Sequence, residues 1–255
     1  MPTLIEMRLK ATWTMRPNTR NLHGLACALF EEDSTEHLGQ AKHFAVWPLR
    51  PASQDAAGEG PPVASSEWTW RAAWLPDDPP PARAVTADVL RVGHVSCTVT
   101  ESTQRRVTRA RLAAGPPMHA ITVTFASPAY FSQNGTDVVL PDPRLIVGSW
   151  RRRWNSSLQG ADSLAVDDQA WRDLHQAVRL AEFDLRTVCH DTGHGRDRAG
   201  FTGSATLRLD RNAAPSARAV FGTLARFAEY CGTGAQTTHG FGATAVSPAC
   251  ESGNG

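Results

Sequence analysis

The strongest constraint on the fold is a period of two. In "TLIEMRLKATWTM", Ile5, Met7, Leu9, Ala11 and Trp13 fall on one side and Glu6, Arg8, Lys10 and Thr12 on the other. Only a half-buried strand turns that alternation into one apolar and one polar face. The pattern returns in "HFAVWPL", in "EWTWRAAWL" with Trp68, Trp70 and Trp74 on one face, and in "GHVSCTVTE". Between these runs the period changes to that of a helix. "NLHGLACALFEED" spaces Leu22, Leu25, Ala26 and Leu29 for one face, and "PARAVTADVL" predicts a second helix opened by proline. The order is β-α-β-β-α-β, the ferredoxin-like pattern.

The second half repeats the plan. "MHAITVTFASP" alternates, "YFSQNGTDVVLP" carries the Asn134-Gly135 hairpin signal, and "DPRLIVGSWRRRWN" predicts a helix with proline in its first turn. An extra helix is expected around "DDQAWRDLHQAVRLA", with Trp171, Leu174, Val178 and Ala181 on one face, followed by an irregular loop to residue 200. "GFTGSATLRLD" is a strand. "SARAVFGTLARFAEYC" is a helix whose stripe is Ala217, Val220, Phe221, Leu224, Phe227, Ala228 and Cys231, and "FGATAVSP" is a last short strand. The expected fold class is α+β, with two tandem ferredoxin-like (RRM-like) domains built on antiparallel sheets. The first domain spans residues 1–113, the second 114–247 with a helical insertion and a glycine-rich loop, and 248–255 form a loose tail.

Composition narrows the setting. No stretch approaches the roughly 18 uninterrupted apolar residues of a membrane span, and "MPTLIEMRLK" alternates where a signal peptide would be uniformly apolar. Five cysteines, an odd number without CxxC spacing, argue for a reducing compartment, so a cytoplasmic location is expected. The net charge of +1 makes the chain no polycation, yet arginines cluster at "QRRVTRAR" and at Arg151, Arg152 and Arg153. Such clusters grip phosphate in some proteins and face solvent in others.

The glycine-rich stretch "AEYCGTGAQTTHGFG" fails both nucleotide-binding spellings. It follows a helix and lacks the lysine of a P-loop, and the sixth position of a G-x-G-x-x-G match is Thr237. No nucleotide cofactor is expected. Two readings remain. Gly232 caps the helix while Gly240 and Gly242 relieve crowding, or the backbone amides from Gly232 and Gly234 onward, with Gln236, Thr237, Thr238, His239 and Gly240, form a concavity for a sugar–phosphate chain.

"GFTGSATLRLD" and "LARFAEYCGTGAQTTHGFG" resemble the C-terminal half of the CRISPR-associated endoribonucleases that cut repeat RNA into guide units. These belong to the repeat-associated RNA-binding superfamily with paired ferredoxin-like folds. The resemblance extends through "TFASPAYFSQNG", "VVLPDPRLIVGSWRRRWN" and, more loosely, "LHGLACALFEE" and "HLGQAKHFAVWPL"; residues 51–66 and 156–195 lie outside it. It implies metal-independent cleavage of CRISPR repeat RNA, a hairpin by expectation, with 2′-OH attack leaving a 2′,3′-cyclic phosphate and a 5′-OH. It also implies RNA contact at the glycine loop and entry into a guide-RNA surveillance complex; a non-catalytic RNA-binding subunit of such a complex is the alternative. His37, seven residues before Phe44, matches the family's catalytic histidine, and Lys42 a lysine used by some members. The family's first-helix tyrosine is replaced by Cys27, so His23, one turn earlier, or water is left to move the second proton. Histidine suits both proton transfers because its ordinary pKa of about 6.5 leaves both forms populated near neutrality.

One further cluster, "VCHDTGHGRDR", contains the zinc-capable residues Cys189, His190, Asp191 and His194 but no second Cys/His pair at finger spacing. No metal is expected there; a polar loop or an RNA contact through Arg196 and Arg198 is. The tryptophans of the third strand are expected to pack in the core.

Overall fold

The computed structural model describes residues 1–31, 42–53, 64–158, 164–191 and 197–249. Its first sheet is built on β1 (Thr3–Met15), which pairs antiparallel with both β4 (Ser65–Trp74) and β6 (Val95–Arg106). With β2 (Phe44–Val46) and β5 (Val89–Val92) the order is β2-β4-β1-β6-β5, and the two-residue β3 (Arg50–Pro51) also pairs with β4. Ile5, Met7, Leu9, Ala11, Trp68, Trp70 and Ala72 are buried on one face against Leu22, Leu25, Ala26, Leu29 and Phe30 of α1 (Thr19–Phe30). Each of the leucine, isoleucine, methionine and phenylalanine side chains among them contributes about 1.5–3 kcal/mol by leaving water. The sequence Asn18–Asn21 starts α1 with a reciprocal capping box.

Two expectations for this half need correction. Trp13 is 57% exposed, because the pairing shifts between Lys10 and Met15 and carries it off the apolar face. The helix expected over "PARAVTADVL" is a single turn, α2 (Arg83–Thr86); Val89–Val92 then forms strand β5, hairpinned onto β6. Leu90 and Val92 are buried while Val89 and Arg91 are not, so the period of two prevails over the helical spacing.

In the second half β7 (Ala120–Ala129), β10 (Val178–Asp191), β11 (Asp197–Leu209) and β12 (Thr244–Pro248) form an antiparallel sheet in the order β10-β11-β7-β12. The Asn134-Gly135 turn joins β8 (Phe131–Gln133) and β9 (Thr136–Val138). Asp142 caps α4 (Pro143–Ser156) by accepting from the amides of Arg144 and Leu145. The insertion helix, α5 (Asp168–Ala177), stops earlier than its spacing predicts. Val178 and Ala181 lie on β10, which occupies the stretch expected to be an irregular loop. The run "VRLAEFDLRTV" pairs along β11 with a register shift between Leu180 and Glu182, and that ladder outweighs continuation of the helix.

The modules share a core. Leu4, Ala45, Trp47, Ala73 and Leu75, on the second face of the first sheet, belong to one buried cluster with Trp150 and Trp154 of α4 and with Phe221, Leu224 and Phe227 of α6 (Pro215–Cys231). Arg109, which begins the short helix α3 (Arg109–Ala113), is 1% exposed at this seam. It donates to Asp77, Leu75 and Ser157 and lies over Trp154. This member of the "QRRVTRAR" cluster therefore holds the modules together. No helix among the described residues is long and apolar enough to cross a membrane.

Candidate active site at the module junction

The glycine-rich loop leaves α6 and folds back on its own sheet. Gly232 donates to Ala228 O, Thr233 to Gly242 O, Gly234 to the Ser149 hydroxyl and Ala235 to Tyr130 O. The Thr233 hydroxyl accepts from Trp150 Nε1 at 2.9 Å and meets the Thr244 hydroxyl at 2.8 Å. At two positions the backbones pass so closely that no side chain fits. A Cβ on Gly234 would lie 2.3 Å from Tyr130 O and one on Gly242 1.9 Å from Thr233 O, both at positive φ. The amides of Gly232 and Gly234 are thus committed inside the protein, and the first half of the loop is a packed brace.

The second half of the loop faces α1. Residues 237–239 make one 3-10 turn between Gln236 and Gly240. Thr237 is buried; Gln236, Thr238 and His239 are half-buried. A side chain at Gly240 would meet Leu22 of α1 at 3.0 Å.

Opposite this turn α1 presents His23 and Cys27, one turn apart on one side of the helix, and Glu31, four residues further on, caps its C-terminal end. The His23 and His239 rings lie face to face, 3.8 Å between centroids and 9° from parallel. His23 Nδ1 donates to Thr238 O at 3.1 Å, which fixes a proton on Nδ1, and Cys27 Sγ lies beside the ring, 3.5 Å from Nε2 and 3.9 Å from Nδ1. Burial, then the neighbouring Glu31 carboxylate, push the Cys27 thiol up to about 12, so it stays a thiol and is no thiolate nucleophile. At the end of the column Glu31 Oε1 and Lys42 Nζ form an ion pair at 2.5 Å, their side chains 8% and 13% exposed. Lys42 is therefore not an exposed loop lysine. Glu31 and Lys42 flank the stretch carrying His37, and His37 itself lies outside the described residues.

The three arginines of α4 part company. Arg153 donates to Lys42 O at 2.7 Å and Phe44 O at 2.5 Å, and its burial lowers the guanidinium pKa from its ordinary value. Those two bonds tie α4 to the first sheet beside Lys42. Arg151 pairs with Asp168 at 2.5 Å and lies over Trp171. Arg152 is exposed.

Among the described residues no three His, Cys, Asp or Glu side chains gather as a metal-binding group. Cys189 is exposed, while the His190 and Asp191 side chains, His194 and Arg196 lie outside the described residues. Arg198 donates to Tyr130 Oη and Asp137. The junction also uses groups that no sequence motif marks, namely the Thr238 carbonyl, Ser149 and the carbonyls of Lys42 and Phe44.

Two antiparallel sheets with a shared helical seam and a glycine-braced junction define a tandem ferredoxin-like protein. Comparison with known proteins narrows this. Residues 123–244 match the family model of the CRISPR-associated endoribonuclease Cas6. CRISPR-associated endoribonuclease Cas6 of Mycobacterium tuberculosis (strain CDC 1551 / Oshkosh) is 30% identical over 135 residues, 53% of this chain and 41% of that protein; the same values hold for strain ATCC 25618 / H37Rv. The aligned stretch thus spans less than half of these curated relatives. A solved Cas6 (TTHB231) product complex is 25% identical with a TM-score of 0.78, covering 97% of this chain and 99% of that one. A Cas6 (TTHA0078) product complex is 25% identical with a TM-score of 0.75, covering 96% and 99%. Thermus thermophilus Cas6 (TTHB231) shares the fold at 23% identity, with a TM-score of 0.71 and coverage of 97% and 98%. This chain is therefore similar to the CRISPR-associated endoribonuclease Cas6 in sequence over residues 123–244 and in fold over nearly its whole length.

Proposed function

We propose that this protein is a metal-independent endoribonuclease that binds CRISPR repeat RNA and cuts precursor transcripts into guide units. The ribose 2′-OH next to the scissile phosphate attacks phosphorus, the 5′-oxygen leaves, and the products carry a 2′,3′-cyclic phosphate and a 5′-OH. His37 takes the 2′-OH proton, and His23 returns a proton to the leaving oxygen. Lys42 adds positive charge, and its pairing with Glu31 also brings together the two ends of the stretch bearing His37. The exposed side of the Thr238–His239 turn and Arg152 contact the RNA, which is proposed to present a hairpin. The processed RNA is then handed to a guide-RNA surveillance complex.

One observation carries this reading. The polar column of α1 and the turn after the glycine loop, 215 residues apart at His23 and Thr238, converge at one junction, in a fold shared with Cas6 product complexes. That arrangement supplies acid–base groups from one module beside a binding turn from the other.

The test is cleavage of labelled host repeat RNA in excess EDTA, with and without a single 2′-deoxy substitution at the cut site. Cleavage in EDTA, lost with the 2′-deoxy RNA and in His37→Ala, is the expected result. Binding without cleavage of any repeat by wild type identifies a non-catalytic subunit, and cleavage that EDTA abolishes identifies a metal nuclease.

A further inference from the structure

Two imidazoles in face-to-face contact across a seam between modules are an unusual arrangement for a purely structural contact. Aromatic rings ordinarily prefer offset or edge-on geometry over a parallel sandwich, and His23 and His239 stand 9° from parallel at 3.8 Å. Two imidazolium ions at that separation repel strongly, whereas an imidazolium over a neutral ring is attracted to it. A stack of this kind therefore favours a single charge over both none and two.

One residue clamps both rings. Thr238 accepts from His23 Nδ1 through its carbonyl, and its hydroxyl is hydrogen-bonded to His239 Nδ1 at 3.0 Å. With Nδ1 of His23 protonated by this contact, Nε2 is the nitrogen that titrates. Among the described residues, the groups facing the pair include Cys27 and then Glu31 at the end of α1, the ammonium of Lys42 on Glu31, and the Phe44 ring, 6.3 Å from His23. His43 precedes Phe44, and Arg20 lies on the preceding turn of α1. Cys27, held as a thiol, offers Nε2 a weak donor and no negative charge.

We propose that His23 and His239 are one proton-sharing unit, and that His239 is the positioning residue that fixes the plane, tautomer and protonation of His23. Because each module contributes one ring, the unit exists only when the modules are docked. It couples the turn that follows the glycine brace to the helix that bears the acid–base column. In cleavage, a role that rests on the function proposed above, the proton delivered to the 5′-oxygen is the one this pair holds. The bond from His23 Nε2 to hydrogen breaks as the oxygen–hydrogen bond forms, and the pair is left neutral.

Two measurements on the full chain test this. The first is NMR titration of the histidine rings in the RNA-free protein, with His23→Gln and His239→Phe serving for assignment. The expected result is two macroscopic steps for His23 and His239 separated by more than about one pH unit, collapsing in His239→Phe to a single step for His23 at higher pH than the lower step. Two independent steps, with His23 unmoved in His239→Phe, overturn the unit. The second is single-turnover cleavage at saturating protein across pH. His239→Ala is expected to lower the rate about a hundredfold while repeat-RNA Kd changes less than about threefold. His239→Phe, which keeps a flat ring in the stack, is expected to recover most of the rate with a displaced pH profile. A weakened Kd with an unchanged saturated rate makes His239 an RNA contact only and overturns the positioning role. Coupled titration in a protein that cuts no repeat RNA sinks the endoribonuclease reading and leaves the pair; cleavage with uncoupled titration does the reverse.

Discussion

Glu31 Oε1 and Lys42 Nζ lie 2.5 Å apart with both side chains largely buried. A buried ion pair is a poor source of net stability, but removing one partner strands the other charge. Lys42→Met alone is expected to cost about 2 kcal/mol, between the values for fully buried and surface pairs. The double change Glu31→Gln/Lys42→Met is expected to recover at least half of that loss. Urea unfolding midpoints for both variants decide it. Single changes that cost less than about 0.5 kcal/mol would make the pair a surface contact and remove its role in holding the ends of the 32–41 stretch.

Glycines of opposite function give a second prediction. Gly242→Ala places a Cβ 1.9 Å from Thr233 O at positive φ, and Gly234→Ala places one 2.3 Å from Tyr130 O. Neither backbone can retreat without breaking the brace, so each is expected to destabilise by about 3 kcal/mol or prevent folding. Gly24 is exposed in the interior of α1, and a Cβ there meets nothing within 4 Å. Gly24→Ala is expected to stabilise by about 0.5–1 kcal/mol. Thermal unfolding of the three variants separates the signs.

What was legible in the chain follows from which forces act locally. The alternation of β1 and the stripes of α1 and α6 are written in residue type, because one face of each element is buried. The Trp13 exposure was not legible, since a register shift depends on the partner strand. Nor was β10: "VRLAEFDLRTV" follows a helix without a proline or glycine break, and only the presence of β11 decides its state. At the junction, His23 and the glycine loop were legible as separate motifs. Their ring stacking, the clamp by Thr238 and the burial of Arg153 are products of docking over more than a hundred residues of separation, which no local pattern encodes.

Arg152 and Arg153 are neighbours whose replacement is expected to act on different properties. Arg152 is exposed on α4, so Arg152→Ala is expected to leave stability within about 0.5 kcal/mol. If it meets a phosphate, the log–log salt slope of repeat-RNA binding drops by about one. Arg153 donates to the carbonyls of Lys42 and Phe44, so Arg153→Met is expected to cost about 2 kcal/mol by leaving those acceptors unpaired. Its salt slope should stay at the wild-type value. Equal salt slopes for wild type and Arg152→Ala would exclude Arg152 from the RNA contact.

Buried thiols give the protein an alkaline limit, and Cys27 and Cys231 dominate it. Cys27 and Cys231 are each pushed from 9.0 to about 12, in both cases chiefly by burial, which disfavours the thiolate. A group with a raised folded pKa keeps its proton in the folded state while the unfolded chain releases it. Between pH 9 and 12 the folded protein therefore binds more protons, and stability falls as pH rises. The expected slope in that window is about 1.4 kcal/mol per pH unit for each thiol. Cys27→Ala should remove one thiol's share without changing the onset near pH 9; Cys231 and Cys97, and at higher pH Tyr130 and Tyr230, all raised by burial, supply the remainder. At pH 8 only about one Cys27 in ten thousand is thiolate, so iodoacetamide should modify the exposed Cys189 long before Cys27. Stability that is flat from pH 9 to 11, or Cys27 alkylated as fast as Cys189, would show that the thiol beside His23 is ionised and would change the proton inventory of the junction.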